Sequence, residues 1–224
     1  MTAPAVREQA AAPYRVTALG SALLRMWRAW RVLIPVVIVN AVVQSLLVLP
    51  GVLPYLTWAF VLLAVVGFLV MVVSYGLVAA AMLRSVDGSV RWTAVLPAVR
   101  ACWPRLLLWS VVLLVAVTVG LALYVVPGIL VLALTPYVLL AVVDGRPDPW
   151  RTNLRAIRVR WGRWLVTIAM MIVISALMWL LAALDGFFVT GAPAALIGWL
   201  VLGLVASWFV CTWALVYRSL PRDA

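Results

Sequence analysis

Six apolar runs, at roughly 32–49, 54–83, 106–126, 128–143, 164–184 and 193–217, occupy most of this chain, and every charged residue lies outside them. A helix rises about 1.5 Å per residue, so most of these runs can cross a hydrocarbon core of about 30 Å. Hydrophobic residues make up 68% of the 224 positions and charged residues only 10%. A soluble domain has roughly 45–50% apolar residues and enough charge to cover its surface. Water is therefore the wrong solvent for this chain, and the expectation is an all-α membrane protein.

Two of the runs are irregular. The second is long, which predicts tilt or a protruding end. The fourth is short and holds Thr135-Pro136 inside it. Proline lacks an N–H, so a kink is expected there, with a neighbouring helix or a hydroxyl satisfying the freed carbonyl.

All 17 basic residues are arginines, and their order along the chain predicts an orientation. Arg7, Arg15, Arg25, Arg28 and Arg31 precede the first run; Arg84, Arg91, Arg100 and Arg105 lie between the second and third. Arg146, Arg151, Arg155, Arg158, Arg160 and Arg163 lie between the fourth and fifth, and Arg218 and Arg222 follow the sixth. The other connections (Pro50-Gly51, Pro127-Gly128 and Asp185 to Pro193) hold none. Positive residues stay on the cytoplasmic side, so six spans with both termini inside are expected. Trp27, Trp30, Trp92, Trp103, Trp150, Trp161 and Trp164 gather on the same side, at the depth where indoles meet headgroups.

Residues 1–13 lack periodicity and read as a disordered tail, followed by a single membrane domain over 14–224. Two arginines before a long first run, with no small-residue cleavage site after it, argue against a secretory signal. From Val16 to Arg31 the residues Leu19, Leu23, Met26, Trp27 and Trp30 recur at helical spacing, with Arg25 and Arg28 opposite and Thr17 as a cap. This is the pattern of an interfacial amphipathic helix leading into a span.

The connections resemble one another. One reads V-D-G-S-V-R-W (Val86 to Trp92) and then R-A-C-W-P-R-L-L (Arg100 to Leu107). The other reads V-D-G-R-P-D-P-W (Val143 to Trp150) and then R-V-R-W-G-R-W-L (Arg158 to Leu165). R-A-W-R (Arg28 to Arg31) is a looser third copy. The expected architecture is three hairpins, over roughly 14–83, 84–143 and 144–217, each led by a cytoplasmic interfacial helix. Parallel repeats of this kind build pseudo-symmetric bundles, some of them transporters.

These arginine-tryptophan lead-ins, the Asp144-Gly145 pair before the basic segment Trp150 to Arg163, and the ending A-L-V-Y-R-S-L (Ala214 to Leu220) carry a resemblance. The layout is similar to the bacterial membrane proteins that include the glycerophosphoryl diester phosphodiesterase membrane domain and the YciC-like proteins. The resemblance implies a polytopic helical fold. In the named phosphodiesterases the chemistry belongs to a separate soluble domain, for which this chain has no room, so no catalytic residue carries over.

The segment Asp148 to Trp164 is the strongest candidate site. On a helix Trp150, Leu154, Ile157 and Trp161 share one stripe, and Arg151, Arg155 and Arg158 lie opposite. Asp148 suits the N-cap, Pro149 the first helical position, and Gly162 a bend into the next span. With Arg163, Arg100, Arg105, Trp103, Arg28 and Arg31 it forms a collar for anionic headgroups or an acidic partner. Near the membrane surface each arginine contributes about 1 kcal/mol. The same residues serve equally as topology anchors. Inside the membrane Asn40 and Gln44 lie one turn apart, and with Thr135 they either join helices or line a substrate path. Gly67, Gly76, Gly120 and Gly203 are expected to allow close helix approach.

Other chemistries find little support. Histidine and lysine are missing, and Cys102 and Cys211 have no metal spacing, so neither a metal nor another cofactor is expected. The acids Asp87, Asp144, Asp148 and Asp185 read as turn or capping residues. A net charge of +11 would elsewhere suggest nucleic acid, but arginines at the ends of apolar runs face lipid headgroups. The expectation is a non-enzymatic protein of a bacterial cytoplasmic membrane that organises anionic lipids, a partner protein or copies of itself. The alternative is a small transporter or lipid flippase with a path near the bilayer midplane.

Overall fold

A computed structural model describes residues 17–47, 57–85, 90–188 and 191–219. Among these the regular structure is helical throughout: α1 (Thr17–Arg28), α2 (Trp30–Leu46), α3 (Trp58–Ser85), α4 (Trp92–Leu123), α5 (Val125–Leu134), α6 (Val138–Val143), α7 (Pro149–Val159), α8 (Trp161–Phe188) and α9 (Ala192–Arg218). Five segments are long and apolar enough to cross a membrane: Trp58–Ser85, Trp92–Leu123, Val126–Val143, Trp161–Met178 and Ala192–Arg218. Residues Ser21–Arg28 of α1 and Trp30–Leu46 of α2 meet the same test only together, as a pair bent by 84°, and the count is six if that pair is one span. The protein is an all-α, multi-pass membrane protein. The N-terminal tail, the Pro50-Gly51 turn, the first V-D-G and Arg222 lie outside the described residues.

The core sits at the arginine-bearing end. Val78 to Leu83 of α3 are buried, whereas most of Trp58 to Val66 on the same helix is exposed. Buried partners come from α2 (Val32, Val36), α4 (Val95, Val99, Leu106), α6 (Leu140, Ala141) and α9 (Val210, Ala214). The helices converge there, and toward the other end buried residues become sparse. Small residues permit the convergence: a Cβ on Gly76 would stand 2.7 Å from Leu106 Cδ2, and one on Gly203 would stand 2.8 Å from Val37 Cγ1. Away from that end Gly67 is crowded by Leu47 and Gln44, and Gly120 by Gly128.

Three local expectations are corrected. The first concerns the segment before the third apolar run, which is not a separate interfacial helix. It is the beginning of α4, which continues for 32 residues through Pro97 and Pro104. Both prolines lie at exposed positions, where a missing intrahelical hydrogen bond is tolerated best. Second, the turn between α4 and α5 is at Tyr124, not at Pro127-Gly128. Pro127 belongs to the first turn of α5, where its missing N–H has no intrahelical acceptor in any case. Third, Gly162 lies inside α8 with open space around it. The bend between α7 and α8 is made by Arg160, at φ −128° and ψ 36°.

In α1 the large apolar residues Leu23 and Trp27 are exposed, as is Trp30 at the start of α2, while Ala22 and Met26 of α1 and Ala29 at the bend pack on the bundle. Helix α8 meets α9 and, more lightly, α7, and its exposed Ile172, Val173 and Leu177 face outward.

Candidate functional site

The collar is assembled from arginines that perform two different tasks. One set is spent inside the protein. Arg105 of α4 donates through Nη2 to the carbonyls of Arg146 (2.7 Å) and Pro147 (3.1 Å). Arg160 donates to the Ser219 carbonyl at 3.4 Å, and Arg218 pairs with Asp144 Oδ1 at 3.1 Å. Asp144 also accepts the Tyr217 hydroxyl at 3.0 Å and the Arg146 Nε–H at 3.4 Å, both on Oδ2. This carboxylate, only 13% exposed, thus joins the end of α6 to the end of α9.

Its position follows from the Asp144-Gly145 pair. Gly145 adopts φ +77°, the left-handed conformation glycine reaches without Cβ strain. Gly145 N–H donates to Val142 and Arg146 N–H to Ala141, both at 3.0 Å. This is a Schellman closure of α6. The capping role expected for the pair is real, and the closure turns the Asp144 side chain toward α9.

The second set of arginines faces outward. Arg28, Arg31, Arg91, Arg100, Arg151, Arg155 and Arg158 are all exposed. Arg151 is 88% exposed and pairs with Asp148 at 3.2 Å; Arg31 lies 5.8 Å from the centre of the Trp30 ring. Trp27, Trp30, Trp150 and Trp161 are exposed among them. Arg163 is half-buried, as is Trp103, which packs against Val72, Cys102, Leu106 and Val142. Trp92 Nε1 donates to the Arg31 carbonyl at 3.1 Å, so the first and second lead-ins touch.

Helix α7 begins as expected: Asp148 Oδ1 accepts the Arg151 N–H at 3.1 Å, and Pro149 occupies the first turn. Its buried residues are Pro149, Asn153 and Ala156; Ile157 packs partly buried on the core, Trp150 is exposed but borders a cavity with Trp109, Val131 and Leu134, and Trp161, at the start of α8, is exposed. Asn153 is 0% exposed and enters the break between α5 and α6. Pro136 interrupts the ladder there, which frees carbonyls on the preceding turn and the N–H of Tyr137. Asn153 donates to the Leu134 carbonyl at 2.7 Å and accepts the Tyr137 N–H at 3.0 Å. Trp164 Nε1 donates to the Ala133 carbonyl at 2.8 Å, and the Thr135 hydroxyl to Val131 at 2.7 Å. Neighbouring helix and hydroxyl both satisfy the break, as the proline predicts.

The intramembrane polar residues separate into two places. Gln44 Nε2 donates to the Gly67 carbonyl at 2.9 Å, and Gln44 and Thr135 both line an apolar groove of about 940 Å³ between α2, α3, α4 and α5. Asn40 lines a different cavity, of about 160 Å³, between α2, α3 and α9. Asn153, Tyr217 and the central role of Asp144 escape sequence reasoning. Asn153 reads as one more polar residue on a basic helix, and its partners are 16 and 19 residues away. Among the described residues no cluster of three or more His, Cys, Asp or Glu side chains can hold a metal ion.

Compared with protein families, with curated proteins and with solved structures, the chain matches none.

Proposed function

We propose that this is a non-enzymatic membrane protein that organises anionic lipids, or an acidic partner held at the same face, through its arginine-tryptophan collar. In this reading the chain makes six spans in three hairpins, with both termini in the cytoplasm of a bacterium. The resemblance to the phosphodiesterase membrane domain and YciC-like group supports the same layout.

One observation carries the reading: the division among the arginines. Arg105, Arg146, Arg160 and Arg218 are consumed by carbonyls and by Asp144. Seven others stand exposed at the lead-ins, beside exposed tryptophans. Cations left outward among indoles suit the headgroup layer, where anionic lipid supplies the missing countercharge. Arginine also offers a fork of donors that matches phosphate oxygens. A purely structural collar would have no use for this outward set beyond orienting the chain.

Charge reversal tests the proposal. The combined R151E, R155E and R158E variant is compared with R151K, R155K and R158K after purification in mild detergent. Bound phosphatidylglycerol and cardiolipin are measured by native mass spectrometry. Three arginines at about 1 kcal/mol each predict roughly a hundredfold weaker retention of anionic lipid in the reversed variant and near-normal retention in the lysine variant. Equal retention of these lipids, with the same proteins co-purifying, would reduce the collar to a topology anchor.

A further inference from the structure

The two intramembrane cavities carry an inference independent of the collar. They adjoin: Met71, Tyr75 and Trp199 line both. The larger is bordered by hydrocarbon side chains such as Leu63, Phe68, Leu113 and Leu139, and no charged side chain lines either one. Its size, about 940 Å³, is within the range of sites that enclose a small molecule.

Several polar side chains in this region are satisfied within the fold. The hydroxyls of Ser45, Thr135, Ser207 and Thr212 each donate to the carbonyl four residues back, and Gln44 bonds Gly67. Asn40 differs. It is 9% exposed, it lines the smaller cavity, and its Oδ1 has no hydrogen-bond partner. A buried acceptor left unpaired costs about 1–3 kcal/mol, so a residue in this state calls for a donor from outside the fold.

We propose that the paired cavities bind an uncharged lipid alcohol, whose hydroxyl meets Asn40 and whose hydrocarbon chain fills the larger groove. The chemistry is specific in three respects. The ligand must bring a donor, because Asn40 Oδ1 is an acceptor; a hydroxyl also accepts, so it serves either end of the amide. It must be neutral, because nothing charged is present to receive a phosphate, carboxylate or ammonium. It must be long and apolar, because the groove beyond Tyr75 offers almost nothing but carbon. Met71, flexible and exposed, stands at the partition between the two spaces, where its thioether side chain adapts to the occupant.

The test uses the full chain in nanodiscs of zwitterionic phosphatidylcholine. The probes are a diazirine-bearing hexadecanol, its methyl ether and the matching fatty acid, each crosslinked by light and mapped by peptide mass spectrometry. The alcohol is expected to label the residues around Tyr75 and Asn40 saturably and to be displaced by unlabelled hexadecanol. The ether, which lacks the donor, is expected to bind roughly tenfold more weakly, as is the alcohol in N40L. A64W fills the groove and is expected to abolish labelling of Tyr75 while leaving the folded protein intact by gel filtration. If N40L does not fold, the alcohol-against-ether comparison on the unaltered chain decides the point. Equal binding of alcohol and ether, preference for the fatty acid, or non-saturable labelling spread along the exposed helices would each overturn the proposal. A collar that fails its own test leaves these outcomes unchanged, because they are read in a bilayer without anionic lipid.

Discussion

Asn153 shows how one side chain can make an interrupted membrane helix tolerable. Its amide faces two ways, giving an N–H to Leu134 and taking one from Tyr137, and no other residue of that size offers both. Removing it leaves a carbonyl and an N–H buried and unpaired, each at a cost of about 1–3 kcal/mol. N153A is therefore expected to lose about 3 kcal/mol of stability, read as the shift in an SDS-unfolding midpoint. N153D keeps the acceptor but sets a carboxylate against the Leu134 carbonyl, so it should be no better than N153A. A fully stable N153D would show that the break is satisfied by other means. Asp144 has a comparable position at the end of α6, where Arg146, Tyr217 and Arg218 converge on one carboxylate. Two of these three, Tyr217 and Arg218, come from the far end of the chain, so no local pattern announces them.

At the scale of elements, what can be read from sequence depends on how far away the cause lies. The Asp148 cap, the Pro149 start and the Pro136 break have causes within a few residues, and each occurs where its chemistry puts it. The Tyr124 turn and the uninterrupted α4 have causes in packing. Gly120 and Gly128 bring α4 and α5 so close that a Cβ on Gly120 would stand 2.8 Å from Gly128 N. That contact, more than the Pro-Gly pair itself, sets where the chain turns. On α7 the fully buried positions are the small or polar Pro149, Asn153 and Ala156, while the larger Ile157 packs on the core only partly buried and Trp150 is exposed. The two glycines at either side of α7 are separated by the same reasoning. Gly145 holds a left-handed conformation, so G145A is expected to cost about 1 kcal/mol or more. Gly162 is helical with open space around it, so G162A is expected to gain about 0.5–1 kcal/mol. Opposite signs in thermal stability check the assignment of the bend to Arg160.

At the scale of the whole molecule, the arginine-bearing connections meet through direct bonds. Trp92 reaches Arg31, Arg105 reaches the loop after α6, Arg160 reaches Ser219, and Arg218 reaches Asp144. Segments far apart in sequence therefore share one end of the bundle, and that end holds the core. Tight packing beside the collar keeps the outward cations fixed relative to one another, while the looser opposite half leaves room for the groove. The proposed orientation sets this packed end in the cytoplasm. Cys102 and Cys211 are both buried, so single added cysteines can report on sidedness with little background. P193C, at the exposed start of α9, is expected to react with a membrane-impermeant maleimide in intact cells. S219C, at the other end of the same helix, is expected to react only after the membrane is permeabilised. The reverse pattern would turn the collar outward and remove cytoplasmic anionic lipid as its counterpart. Equal reactivity of the two sites in intact cells would count against α9 as a span.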